Sequence, residues 1–351
     1  PGAARANAAA CPAGADAAGG CWPPGADYVP TKGIDLNHSG MSPHVGPFKL
    51  SVPAWSWEEP DILKRGYHAR HKVFETSPVL DKDLNVYIAS STGWLYSLDK
   101  NGKLRWEYKT SAADPGNAAL LGGKVFVATT DGTVSALDSG SGRELWRQKI
   151  AKTIPRDKHS LTAVPGRLLV ACNPEGILQE WRGEAMNEAV CALDPEDGRL
   201  RWTFFLHNVT MGRAGMSTNS MPAIVDGSVI VSDNMGSAFR LSLEDGRELW
   251  HTPRVLSPYL FTHPGMDLGW GQKSAIPLPW GTKATSVVGP NDKVYHAFNR
   301  MKGDGLLRAY DLHTGKVLWA RRFQRSELHT APAVGRLQPG GKPVRARPPG
   351  D

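Results

Sequence analysis

Apolar runs separated by short polar turns recur along the chain and predict β-strands. In residues 85–99, NVYIASSTGWLYSLD, two runs rich in β-branched and aromatic residues flank a Thr-Gly turn. Residues 124–138, KVFVATTDGTVSALD, repeat this arrangement around an Asp-Gly turn. Such runs joined by Gly-containing turns are typical of β-hairpins. The pattern therefore predicts an all-β protein.

A segment of similar sequence follows each pair of runs and ends in tryptophan. Its first copies read YSLDKNGKLRW and SALDSGSGRELW. Successive tryptophans are separated by 40, 56, 48 and 69 residues. A period near 40 to 50 residues with strand-like content is typical of propeller blades. The tryptophans are Trp106, Trp146, Trp202, Trp250 and Trp319.

Each repeat is predicted to be a blade of four antiparallel strands. A short inner strand of small residues, such as TSPVL or GNAALL, precedes two middle strands and an outer strand that carries the tryptophan. The complete blades are predicted at 74–110, 112–152, 158–207, 217–254 and 283–324. An outer strand near Trp55 and Trp57 and an inner strand at 329–337 would form a sixth, split blade. The β-propeller would have more blades if the chain is truncated.

The repeated segment is expected to form a turn and an inter-blade contact. The turn requires glycine, which accommodates positive φ without steric cost. The tryptophan is large enough to pack between neighbouring blades as a docking residue. The aspartates that begin the turn are Asp99, Asp138, Asp194 and Asp311, with Ser242 in the fourth copy. The glycines are Gly102, Gly142, Gly198, Gly246 and Gly315.

The LDxxxGxxxW pattern over residues 74–323 resembles the pyrroloquinoline-quinone-like (PQQ-like) repeat β-propellers. That family includes quinoprotein alcohol dehydrogenases and scaffold lipoproteins of outer-membrane assembly. The dehydrogenases would imply eight blades, a vicinal disulfide over the cofactor, calcium-binding carboxylates and a catalytic aspartate. The chain has no adjacent cysteines, and no residue can be carried over as catalytic. The resemblance therefore favours the non-catalytic members, with no cofactor expected. PQQ with calcium is expected under the dehydrogenase alternative alone.

Composition divides the chain into three parts. Residues 1–47 form a Gly/Pro/Ala-rich arm, residues 48–337 the propeller, and residues 338–351 a basic Pro/Gly-rich tail. An arm of that composition cannot build its own core, so it is expected to dock on its own propeller or on a partner protein.

The formal net charge of +7 raises the question of nucleic acid. Basic residues are spread along the chain and the aromatic residues lie at repeat positions, whereas nucleic-acid binding needs a basic stripe with stacking aromatics. We therefore expect no nucleic-acid partner. Peripheral association with an acidic membrane surface stays open. No run of about 18 apolar residues occurs, so no transmembrane segment is expected.

The cysteines and two glycosylation sequons bear on the compartment. Cys11 and Cys21 flank a short Gly/Ala loop and are a candidate disulfide in an oxidising compartment. Cys172 and Cys191 are predicted on neighbouring strands with an offset register, and we leave them unpaired. Together these features favour a secreted or luminal location, which includes the extracellular space, the periplasm and an organelle lumen such as the thylakoid.

Two groups of residues outside the repeat are candidates for binding. Polar residues before the inner strands are expected at the mouth of the propeller channel and form a candidate ligand site: His159, Asn219, Lys283 and His329. Polar side chains at an aqueous channel need no function, so this alternative stays open. A long insertion before the fifth blade carries candidate partner contacts, unless it packs on its own propeller: Tyr259, Phe261, Trp270 and Trp280.

The sequence therefore predicts a non-catalytic propeller that binds other protein subunits through its arm and long loops. It would be a subunit or assembly factor of a larger complex. The alternative is a quinone- or metal-dependent oxidoreductase, so enzymatic activity is left undecided.

Overall fold

The computed structural model describes the propeller repeats and two segments that precede them. The described residues are 27–36, 38, 53–60, 74, 76–154, 161–174, 189–206, 221–232, 237–252, 266–267, 273–274, 286–289, 292–300, 304–324, 326, 328 and 332. They contain 22 strands, and no helix is found within them. The protein is all-β, as predicted.

Five antiparallel sheets of four strands each form the blades, and the strands of every sheet are hydrogen-bonded in chain order. The strands of the first two blades are β1 Val79–Leu80, β2 Val86–Ser90, β3 Trp94–Leu98, β4 Leu104–Lys109, β5 Ala119–Leu121, β6 Lys124–Ala128, β7 Thr133–Asp138 and β8 Glu144–Lys149. Those of the third and fourth are β9 Thr162–Val164, β10 Arg167–Cys172, β11 Ala189–Leu193, β12 Leu200–Phe205, β13 Ala223–Val225, β14 Ser228–Ser232, β15 Ala238–Ser242 and β16 Glu248–His251.

The remaining strands form the fifth blade and a separate hairpin. The hairpin pairs β17 Met266–Asp267 with β18 Lys273–Ser274. The fifth blade consists of β19 Val287–Gly289, β20 Lys293–Arg300, β21 Asp304–Asp311 and β22 Val317–Phe323. All five complete blades lie within the ranges that the repeat predicted.

The hydrophobic core lies between the blades rather than at one centre. Phe126 of blade 2 packs in one cluster with Leu168 and Val170 of blade 3. Val190 of blade 3 shares another with Phe239 of blade 4. Because each sheet buries its faces against the next, the middle strands are almost fully buried while the outer strands remain largely exposed. This is the nearest-neighbour packing of repeat proteins.

The outer strand of every blade contains a register shift at the same place. In blade 2, Ala136 pairs with Trp146, and the next residue, Leu137, pairs with Glu144. One extra residue, Leu145, therefore bulges from the outer strand just before the tryptophan. Bulges of this kind re-aim side chains. The five residues opposite the tryptophans are Ser97, Ala136, Ala192, Arg240 and Ala309.

The turn before each outer strand has the predicted conformation. The glycine φ angles in the five copies are +82°, +73°, +74°, +73° and +69°. The fourth turn keeps this geometry although Ser242 replaces aspartate, because its backbone carbonyl still accepts the Gly246 N–H at 3.0 Å.

The prediction that Cys172 and Cys191 are unpaired is wrong. The two sulfurs are bonded, with a Cα–Cα distance of 6.0 Å. The predicted offset does exist, since Val170 lies opposite Cys191 and Ala189 lies opposite Cys172. Residues offset by two positions share a face of the sheet, and 6.0 Å is within the span that a disulfide bridges. Cys11 and Cys21 lie outside the described residues.

The predicted split blade is described in part. Residues 53–60 form no strand, although they contact blade 1. Of the predicted inner strand at 329–337, the structure describes Pro332 alone. The count of complete blades in the described residues is therefore five.

Candidate functional site

The tryptophan of each of the first four blades contacts the turn of the following blade, and we call this contact a tryptophan junction. In the junction of blades 1 and 2, Trp106 Nε1 donates to the backbone carbonyl of Ser139 at 3.0 Å. The ring lies over Gly142, where an added Cβ would come within 2.6 Å of it. Glycine is therefore required for the close approach as well as for its positive φ.

The same geometry recurs in each junction, and in every case the accepting carbonyl belongs to the residue after the turn's first residue. The donor–acceptor pairs are Trp55 to Lys100 at 3.0 Å, Trp106 to Ser139 at 3.0 Å, Trp146 to Pro195 at 3.1 Å, Trp202 to Leu243 at 3.2 Å and Trp250 to Leu312 at 2.8 Å. The first pair occurs although residues 53–60 do not form the outer strand that was predicted near Trp55. Trp55 precedes the five sheets and contacts blade 1.

The aspartates shape the turns that receive the tryptophans. Asp99 Oδ1 accepts the backbone N–H groups of Lys103 at 2.9 Å and Asn101 at 2.8 Å. These hydrogen bonds, led by that from Lys103, hold the pKa of the Asp99 carboxyl below its usual value. Because the carboxylate is occupied by its own turn, its role in the structure is local.

A polar contact accompanies the junction of blades 1 and 2. The Tyr108 hydroxyl, two residues after Trp106, donates to Glu144 Oε2 at 2.6 Å. Arg147 Nη2 donates to the same hydroxyl at 2.7 Å. Burial, followed by the hydrogen bond to Glu144, raises the pKa of Tyr108. A side chain two positions beyond the tryptophan thus meets an acidic group of the next blade.

Trp319 of blade 5 differs from the other tryptophans. Its side chain is 41% exposed. Its ring packs beside that of Tyr295 in the same sheet, with the two ring centroids 6.0 Å apart. Among the residues that the structure describes, no carbonyl accepts its indole N–H and no glycine lies beneath its ring.

Residues 53–60 are fixed to blade 1 at their other end by a buried carboxylate. Glu59 is 7% exposed and accepts hydrogen bonds from the hydroxyls of Ser90, Thr92 and Tyr96. The distances are 2.6, 2.5 and 2.7 Å. Sequence reasoning missed this site, because the donors lie in the blade and only the fold brings Glu59 to them.

Part of the N-terminal arm lies across the inner strands of the propeller. Val29 forms an antiparallel bridge with Leu80 of blade 1. The Pro30 carbonyl accepts the N–H of Leu120 in blade 2 at 2.8 Å. Further along, Thr31 and Leu36 reach blades 3 and 4, where Thr31 Oγ1 donates to Leu161 O and Ile224 N donates to Leu36 O. Residues 27–36 and 38, the described part of the arm, therefore dock on the chain's own propeller, which is one of the two predicted alternatives.

His38 ends this segment in a fully buried position. Its Nδ1 lies 2.9 Å from Lys32 O and its Nε2 lies 3.1 Å from Pro222 O in blade 4. Burial lowers the pKa of His38, against a smaller opposite effect of the two carbonyls. His38 and Ile34 both have positive φ, at 55° and 77°. Such backbone conformations persist where surrounding contacts determine them, so the segment is held firmly.

The two groups of candidate binding residues cannot be placed. His159, Asn219, Lys283 and His329 lie outside the described residues, as do Tyr259, Phe261, Trp270 and Trp280. Within the described ranges, no group of three or more His, Cys, Asp or Glu side chains is arranged to hold a metal ion. No helix within those same ranges has the length and apolarity needed to cross a bilayer.

Comparison with known families agrees with the repeat. The profile of the family described as outer membrane protein assembly factor BamB matches residues 56–179 and 92–259, which together exceed half of the chain. The chain belongs to this family of PQQ-like propellers.

Individual relatives include both assembly factors and dehydrogenases. The chain is 28% identical over 236 residues to outer membrane protein assembly factor BamB of Moranella endobia, covering 57% of this chain and 55% of the relative. It is 33% identical over 114 residues to the quinoprotein ethanol dehydrogenase of Pseudomonas aeruginosa, covering 30% of this chain and 17% of the relative. The chain thus spans less than two thirds of the length of either relative.

A solved structure supports the fold. The quinohemoprotein alcohol dehydrogenase ADHIIG from Pseudomonas putida HK5 aligns with a TM-score of 0.58 at 14% identity, covering 84% of this chain and 48% of the other. At that level of identity the similarity establishes the propeller fold alone.

Proposed function

We propose that the protein is a non-catalytic propeller scaffold, a subunit or assembly factor of a complex that handles outer membrane proteins. Membership of the BamB family supports this role. The observation that carries it is the position of residues 29–36, which hydrogen-bond to the inner strands of blades 1, 2 and 4 and to Leu161, directly before the inner strand of blade 3. The tryptophan junctions serve as docking contacts that keep the blades in a rigid array.

The occupied inner strands bear on the alternative function. A cofactor site needs a concave space with a few converging polar groups. In the described part of the propeller, the inner edges of blades 1 to 4 meet the chain's own peptide instead. The inner-edge backbone groups that hydrogen-bond to residues 29–36 are therefore not free to bind a cofactor, which supports the scaffold over the dehydrogenase.

Cysteine chemistry supports an oxidising compartment. The Cys172–Cys191 disulfide lies within blade 3, and both side chains are fully buried. Disulfides persist in oxidising compartments such as the periplasm. A periplasmic site, with partners contacted through the arm and the long loops, is consistent with the names of the BamB relatives. The net charge of +7 would also favour contact with acidic lipid headgroups.

Affinity purification of the tagged chain from its source, after cross-linking in intact cells, tests the scaffold role. We expect stoichiometric recovery of envelope proteins that assemble outer membrane proteins. Recovery of a monomeric chain without partners, before and after cross-linking, would contradict the proposal.

A quinone-dependent oxidoreductase is the second candidate, favoured by the 33% identity to a quinoprotein ethanol dehydrogenase over 114 residues. Titration of the purified chain with PQQ and Ca²⁺, monitored by cofactor absorbance and by dye-linked alcohol oxidation, separates the two. The scaffold proposal expects neither a spectral change nor oxidation. Saturable binding accompanied by turnover would replace it with the enzyme.

A further inference from the structure

The ring of His38 lies between the arm and blade 4. We call residues 27–36 and 38 the docked arm. The His38 side chain is 3% exposed. Its Nδ1 lies 2.9 Å from Lys32 O in the docked arm, and its Nε2 lies 3.1 Å from Pro222 O, directly before the inner strand of blade 4. The same Pro222 carbonyl accepts the Thr162 hydroxyl of blade 3 at 2.8 Å. One imidazole therefore joins the docked arm to two blades.

The backbone of the docked arm leaves room for this ring. Gly33 has φ of +89°, and a Cβ added there would stand 2.9 Å from His38 Nδ1. His38 itself has φ of +55°, and its N–H donates to Asp35 O at 3.0 Å. A residue without a side chain is thus needed where the docked arm passes the ring. The imidazole is therefore an integral part of the docking contact.

The contacts of the ring fit one neutral tautomer. A neutral imidazole has one N–H, so it donates to one of the two carbonyls. We assign that proton to Nδ1, because Lys32 O is the nearer acceptor and Pro222 O already accepts the Thr162 hydroxyl. A second proton, on Nε2, would add a hydrogen bond to Pro222 O. It would also place a positive charge where water does not reach, which is costly without a paired anion.

The charged groups near the ring do not offset that cost. Burial lowers the pKa of His38, and Lys32 adds to this effect, whereas the two carbonyls and Asp35 oppose it to a smaller extent. Both charged residues belong to the docked arm. In the described parts of blades 3 and 4, the groups beside the ring are the Thr162 hydroxyl and the Pro222 carbonyl, which do not titrate. The protonated ring is therefore more stable in water than in its docked position.

We infer that His38 is an acid-sensitive latch, in which protonation of the imidazole releases the docked arm from blade 4. In the closed state Leu120 N donates to Pro30 O and Ile224 N donates to Leu36 O. Release frees these N–H groups and uncovers the inner edges of the blades. The latch operates whether or not the protein is a scaffold.

Acid shifts the docking equilibrium through proton linkage. The released ring has the usual pKa of 6.5, and the docked ring binds its proton at a lower pH. The released arm therefore takes up a proton that the docked arm does not. Docking is strongest above pH 6.5 and weakens as the pH falls below it. Between pH 7.5 and 5.5, the equilibrium constant for docking should fall by up to about tenfold.

Hydrogen exchange of the full chain, followed by mass spectrometry from pH 7.5 to 5.5 and corrected for the intrinsic exchange rate, measures the release. We expect protection of the docked arm and of the Ile224 amide to fall by up to about tenfold on acidification. His38→Gln should remove this pH dependence. His296→Gln, which replaces the buried histidine of blade 5, is the matched control and should leave it intact.

Because His38→Gln could release the docked arm at every pH, the ring of the wild-type chain provides a second measurement. In NMR spectra of the histidine-labelled chain, the His38 signal is identified by its loss in His38→Gln. We expect this signal to titrate below pH 6.5. Gly33→Ala should displace the ring and raise exchange of the docked arm at pH 7.5. Gly227→Ala, with φ of +63° and no atom within 4 Å of an added Cβ, should not.

Any of three outcomes rules out the latch. They are exchange of the docked arm that does not depend on pH, a pH dependence that persists in His38→Gln, and a His38 ring that takes up its proton at or above pH 6.5 while the arm is docked. The last would mean that protonation tightens docking. The scaffold role survives all three, since it rests on family membership and on the recovery of partners from cells.

Discussion

The two ends of the five-blade array differ in what covers them, although their sheets are alike. At the first end, residues 53–60 place Trp55 over Gly102 and Glu59 among three hydroxyls of blade 1. At the other end, Trp319 lies on an equivalent strand and meets no such turn in the described residues. The difference shows that a junction has two halves, a tryptophan and a glycine turn, which lie in different segments of the chain. A blade sequence therefore encodes its own sheet but only half of each interface.

The largest expected effect is on the free energy of unfolding when a tryptophan is removed. The loss should be greater for Trp106, which lies in a junction, than for Trp319, which lies in none among the described residues. Trp106→Ala should lower the free energy of unfolding by about 3 kcal/mol, because it leaves a cavity over Gly142 and frees the Ser139 carbonyl. Trp319→Ala should cost less than about 1 kcal/mol, since its ring is exposed. Urea unfolding of both variants measures the difference. Equal losses would mean that Trp319 is buried in a junction of its own.

A methyl group added beneath the tryptophan tests the other half of the junction. Gly142→Ala should cost about 2 to 3 kcal/mol, because the Cβ meets the Trp106 ring and the residue has positive φ. Gly166→Ala is the matched control, since Gly166 has φ of +79° and no atom within 4 Å of an added Cβ. It should cost about 1 kcal/mol from backbone strain alone. If Gly142→Ala and Gly166→Ala have the same melting temperature, the close contact with Trp106 is not the reason that glycine is required at position 142.

The attachment of residues 53–60 should depend on the carboxylate of Glu59. Glu59→Gln replaces one acceptor oxygen by an NH₂ group, which cannot accept the hydrogen bonds that the hydroxyls donate. The free energy of unfolding should fall by about 1 to 2 kcal/mol. Glu58→Gln, an exposed neighbour, should be close to neutral. Hydrogen exchange should show faster exchange in residues 53–60 for the first variant. Unchanged protection there would indicate that Trp55 alone secures the segment.

The smallest expected effect is a pH dependence. Lowering the pH should reduce the free energy of unfolding because His296 of blade 5 is buried in its neutral form. Burial, followed by the charge of Arg308, lowers the pKa of His296 to about 3. The unfolded chain then binds a proton below about pH 6.5 that the folded chain does not, so stability present above pH 6.5 is lost as the pH falls towards 3. The expected loss is about 1.4 kcal/mol between pH 7.5 and 5.5.

Urea unfolding at pH 7.5, 6.5 and 5.5 measures this slope. His296→Gln should flatten it, whereas His313→Gln, which removes an exposed histidine, should not. His38 contributes with the same sign, because burial also lowers its pKa. A slope that His296→Gln leaves intact would assign the acid sensitivity to other groups.

The repeat predicted features that depend on neighbouring residues. The glycine φ angles and the order of strands within each blade follow from a dozen consecutive positions, so five copies define them well. Contacts between distant parts of the chain left no such pattern. Glu59 meets its hydroxyls across 31 to 37 residues, and the path of residues 27–38 depends on four blades at once.

Cys172 and Cys191 show why a correct register still gave a wrong prediction. An offset register was anticipated, but it was taken to exclude a bond. Two strands of a twisted sheet bring one diagonal pair on a shared face close together. The distance of 6.0 Å between their Cα atoms is a property of that twist and of the whole sheet.

The docking of residues 27–38 also constrains how the protein is made. Blades that touch their neighbours alone can form one after another as the chain emerges during synthesis. The Thr31 hydroxyl, however, bonds a carbonyl 130 residues later, and the His38 ring one 184 residues later. These residues therefore cannot complete their contacts until the fourth blade has been synthesised. Its docking then links blades 1 to 4, and we expect these four blades to unfold more cooperatively than repeats that touch their neighbours alone.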